Sequence, residues 1–220
     1  TGIRTRLALA AATGLTPLVG REQELEAMEQ RWRLACEGTG QAVLVTGEPG
    51  IGKSRLVHEL GRRIGDEGTR AVFQASPYSS NSALHPVIEE LGRMFRIDGT
   101  GGDEGSLARL TEELEAQGVS VEATRPALAA LLSIAETGID ATRELAPQEQ
   151  KRQTFAALRT LMAAEARRRR VLAVFEDIHW ADPSTLELLG LLLADAPTQR
   201  ILIVMTARPE FEPPWPTDTT

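Results

Sequence analysis

Eight consecutive residues, Gly47-Glu48-Pro49-Gly50-Ile51-Gly52-Lys53-Ser54, constrain this chain more than any other stretch. They match G-x-x-x-x-G-K-[ST] at every specified position. Glycines let the backbone curl so that successive N–H groups point inward at an anion, with no Cβ in the way. A helix opening near Lys53 would aim its dipole and unpaired N–H groups at the same anion. The Lys53 ammonium supplies a point charge for β and γ phosphates, and the Ser54 hydroxyl is placed to join a Mg²⁺ shell. A match by composition alone is expected about once per hundred chains of this length. The motif also requires a strand before it and a helix after it.

Both flanks are present. Ala42 to Thr46 form an uninterrupted apolar run rich in β-branched residues, the pattern of a strand buried on both faces in a parallel sheet. A helix is expected from Lys53 to Ile64. Upstream, Leu25, Met28, Trp32 and Ala35 recur at helical spacing within Arg21 to Glu37, and Gly38-Thr39-Gly40 closes that helix. Further strands are expected at Arg70–Ala75, Val171–Phe175 and Ile201–Met205. Between the second and third, the pattern is helical: Pro86–Phe95, Leu107–Gln117, Arg125–Glu136 and Gln148–Arg169, with loops at Asp98–Gly105 and around Pro147. Asp182-Pro183 opens another helix, with Asp as N-cap and Pro at the first helical position. Strands alternating with helices predict an α/β fold. In such a sheet, ligands sit at the carboxyl ends of the strands.

Composition narrows the partners. Of 220 residues, 42% are hydrophobic and 25% charged, enough to bury a core, and the formal net charge of −7 argues against nucleic acid or an anionic membrane as main partner. Cys36 is the single cysteine, which suits a reducing cytoplasm. No apolar run reaches the roughly eighteen residues a membrane helix needs. The chain begins without Met and closes on a proline-rich stretch around Pro213-Pro214-Trp215-Pro216, so a segment of a longer polypeptide is expected. The expected division is a linker over 1–16, a nucleotide-binding domain over 17–212 with a helical insertion at about 77–170, and a tail over 213–220.

The third apolar run delivers Glu176 and Asp177 to the edge that carries the phosphate loop. Phosphoanhydride hydrolysis needs a carboxylate there for Mg²⁺ and another to orient water. By position Glu176 takes the metal place and Asp177 the water-polarising place. The order Glu-Asp reverses the more usual Asp-Glu, which leaves the division of labour open.

Taken together, these stretches resemble a known family. Pro17-Leu18-Val19-Gly20-Arg21-Glu22 is similar to the h-h-G-R-x-x-E signature that opens the ATPase modules of the STAND class, relatives of the AAA+ ATPases, with Glu24 as a candidate closing acid. The phosphate loop, Phe175 to Asp182 and Thr206-Ala207-Arg208 resemble the same class. Leu15 to Arg21, Gly47 to Arg55, Ser76-Pro77-Tyr78 with Asn81 to Leu84, and Arg208 to Phe211 look like the ATPase module of multidomain bacterial class III adenylate cyclases and large LuxR-type regulators.

The resemblance implies a P-loop NTPase fold of the ASCE type with strand order 5-1-4-3-2, the fifth strand and helical lid following Thr220. It also implies that Val19, Gly20 and Arg21 wrap the adenine and that Arg208 senses the γ-phosphate. ATP or ADP with Mg²⁺ is then the expected ligand, and Gly47 to Arg55 with Val19–Arg21 the binding set. Ser54, Glu176 and Asp177 would be the metal set; Lys53, Glu176, Asp177 and Arg208 would be catalytic. Expected partners are neighbouring domains of the same polypeptide and a second copy of the module. A cyclase's own catalytic carboxylates would precede Thr1.

Other signals have plainer readings. Arg167–Arg170 are cations at a helix end, favoured by its dipole. His179 and Trp180 are expected to pack beneath the sheet edge. His58 and His85 lie in separate helices, and Tyr78, Asn81 and Ser82 in a loop that caps the next helix. Two rival functions stand beside a hydrolysing switch: a scaffold that holds nucleotide without turnover, and a DNA-loading AAA+ ATPase, which the charge balance disfavours.

Overall fold

Among the described residues four strands pair in parallel in the order β1-β4-β3-β2, giving a sheet with helices on both faces. They are β1 (Gln41–Thr46), β2 (Gly68–Gln74), β3 (Arg170–Glu176) and β4 (Ile201–Ala207). The computed structural model describes residues 20–97, 102–135 and 146–216. Seven α-helices accompany the strands among these residues: α1 (Glu22–Cys36), α2 (Lys53–Ile64), α3 (His85–Met94), α4 (Gly102–Ala116), α5 (Val121–Leu131), α6 (Pro147–Arg168) and α7 (Pro183–Asp195). This is the α/β architecture of a P-loop NTPase.

The apolar pattern of each strand decides what packs on each face. Leu172, Val174, Leu202 and Val204 point to one side, where Leu25, Met28 and Trp32 of α1 and Leu56, Val57 and Leu60 of α2 meet them. Ala71, Phe73, Val171, Ala173, Phe175, Ile201, Ile203 and Met205 point to the other, against α3 to α7. Phe73 and Phe175 stack there with ring centroids 4.4 Å apart. The four residues that define the apolar face of α1 are all buried.

β1 departs from expectation. Ala42 and Thr46 are exposed and Val43, Leu44 and Val45 only half-buried, because among the described residues β1 stands at the edge of the sheet and pairs with β4 alone. The opposite edge is covered by side chains instead of a strand. Glu90 of α3 accepts the outward N–H of Val72 (3.0 Å), and Arg93 Nη2 donates to Val72 O (3.4 Å) while ion-pairing with Glu90.

Helix ends also shift. α4 already spans Gly102 to Gly105, part of an expected loop, with Asp103 and Glu104 complementing its positive end. α5 runs Val121–Leu131 rather than Arg125–Glu136. The Ser120 side chain caps it by accepting from Ala123 N, so Pro126 lies inside the helix rather than at its start. Its end is a Schellman turn, with Ser133 left-handed at φ 57° and Ile134 N donating to Ala129 O. Local caps overrode the apolar period at both ends. No helix among the described residues is long and apolar enough to cross a membrane.

Candidate nucleotide site

β1 ends at Thr46, and the chain turns at once into the glycine-rich loop. Gly50 and Gly52 adopt φ of 83° and 99°, conformations that strain any side-chain-bearing residue. Ile51 N donates to Glu48 O, and Leu56 N to Gly52 O as α2 begins. A Cβ added at Gly47 would come within 3.0 Å of the Ile51 side chain, whereas Gly50 and Gly52 face open space. Lys53, the first residue of α2, curls back so that its ammonium donates to Gly47 O (2.6 Å) and Glu48 O (3.0 Å). Two of its three donors thus hold the loop's shape and one remains for an incoming anion.

The strand beyond β4 in the sheet supplies the acids. Glu176, the last residue of β3, is buried and lies in register with Gln74 of β2. Burial first, then the neighbouring Asp177 charge, pushes the Glu176 carboxyl up to about 7, opposed by Arg70. Asp177 follows in a left-handed conformation, φ 55°, costly for a non-glycine residue. Its N–H donates to the buried hydroxyl of Thr206 on β4 (2.9 Å), which binds the two strand ends together.

A short 3₁₀ turn, Ile178–Trp180, leads to Asp182. As expected, Asp182 caps α7 by accepting from Ser184 N (2.9 Å) and Thr185 N (3.0 Å). It also accepts from the Thr185 hydroxyl and, across the fold, from Leu84 N (3.2 Å), anchoring the loop after β2. Leu84 is itself left-handed at φ 57°.

Arg208 comes directly after β4. The register that pairs Thr46 with Ala207 sets it beside the start of the phosphate loop. Its guanidinium lies over the Trp180 ring, 5.2 Å from the centroid, and 3.8 Å from Glu210. Burial holds the His179 imidazole below its ordinary range, and Arg208 and Lys53 add to the effect against Asp177.

A family model of the AAA ATPase domain matches residues 17–204. The chain belongs to the AAA ATPase domain family. It is 31% identical over 201 residues to an uncharacterized protein of Rhizobium meliloti (strain 1021), a match that covers 90% of this chain and 19% of that protein. The chain therefore spans about a fifth of that relative's length. The crystal structure of Cdc6p from Pyrobaculum aerophilum is also similar, at 18% identity and a TM-score of 0.48, covering 88% of this chain and 40% of that one.

An AAA domain binds a nucleotide, typically with Mg²⁺, and the donor set here fits both. The loop offers glycine backbone and a lysine ammonium. For the cation there are the Ser54 hydroxyl and the paired carboxylates of Glu176 and Asp177. No three His, Cys, Asp or Glu side chains cluster among the described residues. Mg²⁺ asks for only one or two protein carboxylates beside phosphate oxygens and water.

The structure thus brings Gly47 to Ser54, Glu176, Asp177 and Arg208 to one edge of the AAA domain. Arg55 is half-buried on the first turn of α2. Gly20 and Arg21 sit at the head of α1 and bond locally, Gly20 N to Glu22 (3.1 Å) and Arg21 to Glu24 (2.6 Å). Val19 lies outside the described residues. Sequence reasoning missed what Thr206 and Trp180 do, and it missed Gln74, whose buried Oε1 lacks a partner beside Glu176. A polar residue closing the second strand was the only available signal for Gln74.

Proposed function

We propose that this AAA domain is a slow ATPase that works as a nucleotide switch within a larger signalling protein. The observation that carries the reading is the gathering of Lys53, Glu176, Asp177 and Arg208 at the carboxyl ends of the adjacent strands β1, β4 and β3. The loop N–H groups of Gly47 to Ser54 and the Lys53 ammonium bind the β and γ phosphates, with Arg55 at their flank. Val19, Gly20 and Arg21 are the residues that would meet the adenine. Ser54, Glu176 and Asp177 would hold Mg²⁺, which would supply positive charge to offset that of the phosphates.

Within that frame the protein mainly positions groups. The strained backbone at Asp177, fixed by Thr206, aims a carboxylate past the end of β3, where it can orient an attacking water and accept its proton. Arg208 meets negative charge on the γ-phosphate. ATP and ADP then differ in what they offer Arg208, and that difference is the switch read by neighbouring domains or a second copy. The lone cysteine and the acidic charge suit a cytoplasmic module of this kind.

Single-turnover hydrolysis tests the reading. Wild type is expected to convert bound ATP to ADP, and Asp177→Asn to slow that step by about a hundredfold or more while still binding ATP. Hydrolysis by Asp177→Asn at the wild-type rate would remove the proposed water-orienting role. ATP that stays intact on the wild type would favour a non-hydrolysing scaffold.

A further inference from the structure

Trp180 is absorbed neither by the phosphate loop nor by the acidic pair, yet it touches the one cation that follows β4. We infer that Trp180 is a positioning residue for Arg208: its ring holds the guanidinium at the mouth of the site, ready for a γ-phosphate. The inference rests on the nucleotide-switch reading and adds to it how ATP is told from ADP.

The geometry has a fixed platform and a movable arm. Trp180 closes a 3₁₀ turn whose backbone is pinned, Trp180 N donating to Asp177 O (2.9 Å) and Ala181 N to Ile178 O (3.0 Å). That turn is tied to β4 through Asp177 N and the Thr206 hydroxyl (2.9 Å), two residues before Arg208 itself. Platform and arm therefore hang from the same pair of strand ends. Among the described residues the arm is held by its head group: the Trp180 face at 5.2 Å and Glu210 at 3.8 Å, with the Arg208 side chain 37% exposed and that of Glu210 67%. An ion pair so exposed contributes little. The aromatic face, with its negative quadrupole, adds a second restraint on the same head group.

A guanidinium held over a ring keeps its edge N–H groups free to fork onto an anion. Holding it so removes part of the side-chain entropy that binding would otherwise cost. A terminal phosphate beyond the β position is the ligand chemistry that rewards such an arm, and ADP lacks it.

The test is calorimetric titration of the full chain with Mg-ATP and Mg-ADP, for wild type, Trp180→Ala and Trp180→Phe. The ATP-over-ADP preference is expected to fall by about five- to thirtyfold in Trp180→Ala, and much less in Trp180→Phe, which keeps an aromatic face. Emission from Trp180, taken as wild type minus Trp180→Phe, is expected to change with Mg-ATP and not with Mg-ADP. Arg208→Ala should abolish that difference. Should Trp180→Ala not fold, Arg208→Lys replaces it: the charge stays, the planar group is lost, and the preference should still fall. An unchanged ATP-to-ADP ratio in Trp180→Ala or Arg208→Lys overturns this inference alone. No binding of either nucleotide by wild type overturns the switch reading and this inference with it.

Discussion

The bodies of β3 and β4 and their carboxyl ends are built from opposite materials. Val171 to Phe175 and Ile201 to Met205 are apolar, each no more than 3% exposed, and matched by helix side chains on both faces. One residue further the sheet buries Glu176 and Thr206, and the chain bends into a left-handed Asp177. The body gains stability by removing apolar surface from water. The edge gives some of it up, in desolvated charge and strained backbone, to hold polar groups where a phosphate would lie. The division is sharp because a parallel sheet presents every strand's carboxyl end on one side.

Four substitutions probe that division, from the largest expected change to the smallest. Leu202→Ala, deep in the body, should cost about 2–5 kcal/mol of stability. Denaturant unfolding would show it, and nucleotide affinity of the folded protein should stay unchanged. Asp182→Ala removes the cap of α7 and the acceptor for Leu84 N, at a cost of about 2–3 kcal/mol. A loss as small as a surface substitution would mean that the loop after β2 is anchored some other way.

Glu176→Gln should act in the reverse direction. With its folded carboxyl at about 7 against an ordinary 4.5, the native state keeps a proton that the unfolded chain releases. That contribution is intact below pH 4.5, declines as pH rises toward 7, and is lost above it. The amide carries no charge, so the variant should gain about 1–3 kcal/mol over wild type at pH 8 and almost nothing at pH 4. Thermal melts of the nucleotide-free proteins at both pH values check this. Equal stabilisation at both would mean that charge burial is not the cause. Thr206→Val, which deprives Asp177 N of its acceptor, should cost about 1 kcal/mol and slow single-turnover hydrolysis more than it weakens ATP binding. Equal losses in binding and turnover would show that the hydroxyl does not serve Asp177 in particular.

Much of this contrast was legible in the sequence because it is local. The runs Val171–Phe175 and Ile201–Met205 announce buried parallel strands, and Gly47 to Ser54 states the loop's conformation in its glycines. Asp182-Pro183 likewise marks the start of α7. The apolar run alone could not show that β1 is half-exposed, since it reads alike whether one neighbour covers it or two; only the strand order implied by the resemblance, with its fifth strand following Thr220, left it at an edge. Nor could the sequence show Glu90 capping β2, Thr206 holding Asp177 or Arg208 resting on Trp180. Each of those joins residues that only the folded topology brings together. The ends of α5 were misjudged for a different reason: the Ser120 side chain caps its start and a Schellman turn through Ser133 closes it, against the apolar period.

The central claim is that the glycine-rich edge is a nucleotide site, and calorimetric titration of the chain with Mg-ATP, beside Lys53→Ala, tests it most directly. The account predicts saturable binding by wild type and its loss in a Lys53→Ala variant that melts at the wild-type temperature. Equal binding by both proteins would contradict it, and so would no binding by a folded wild type.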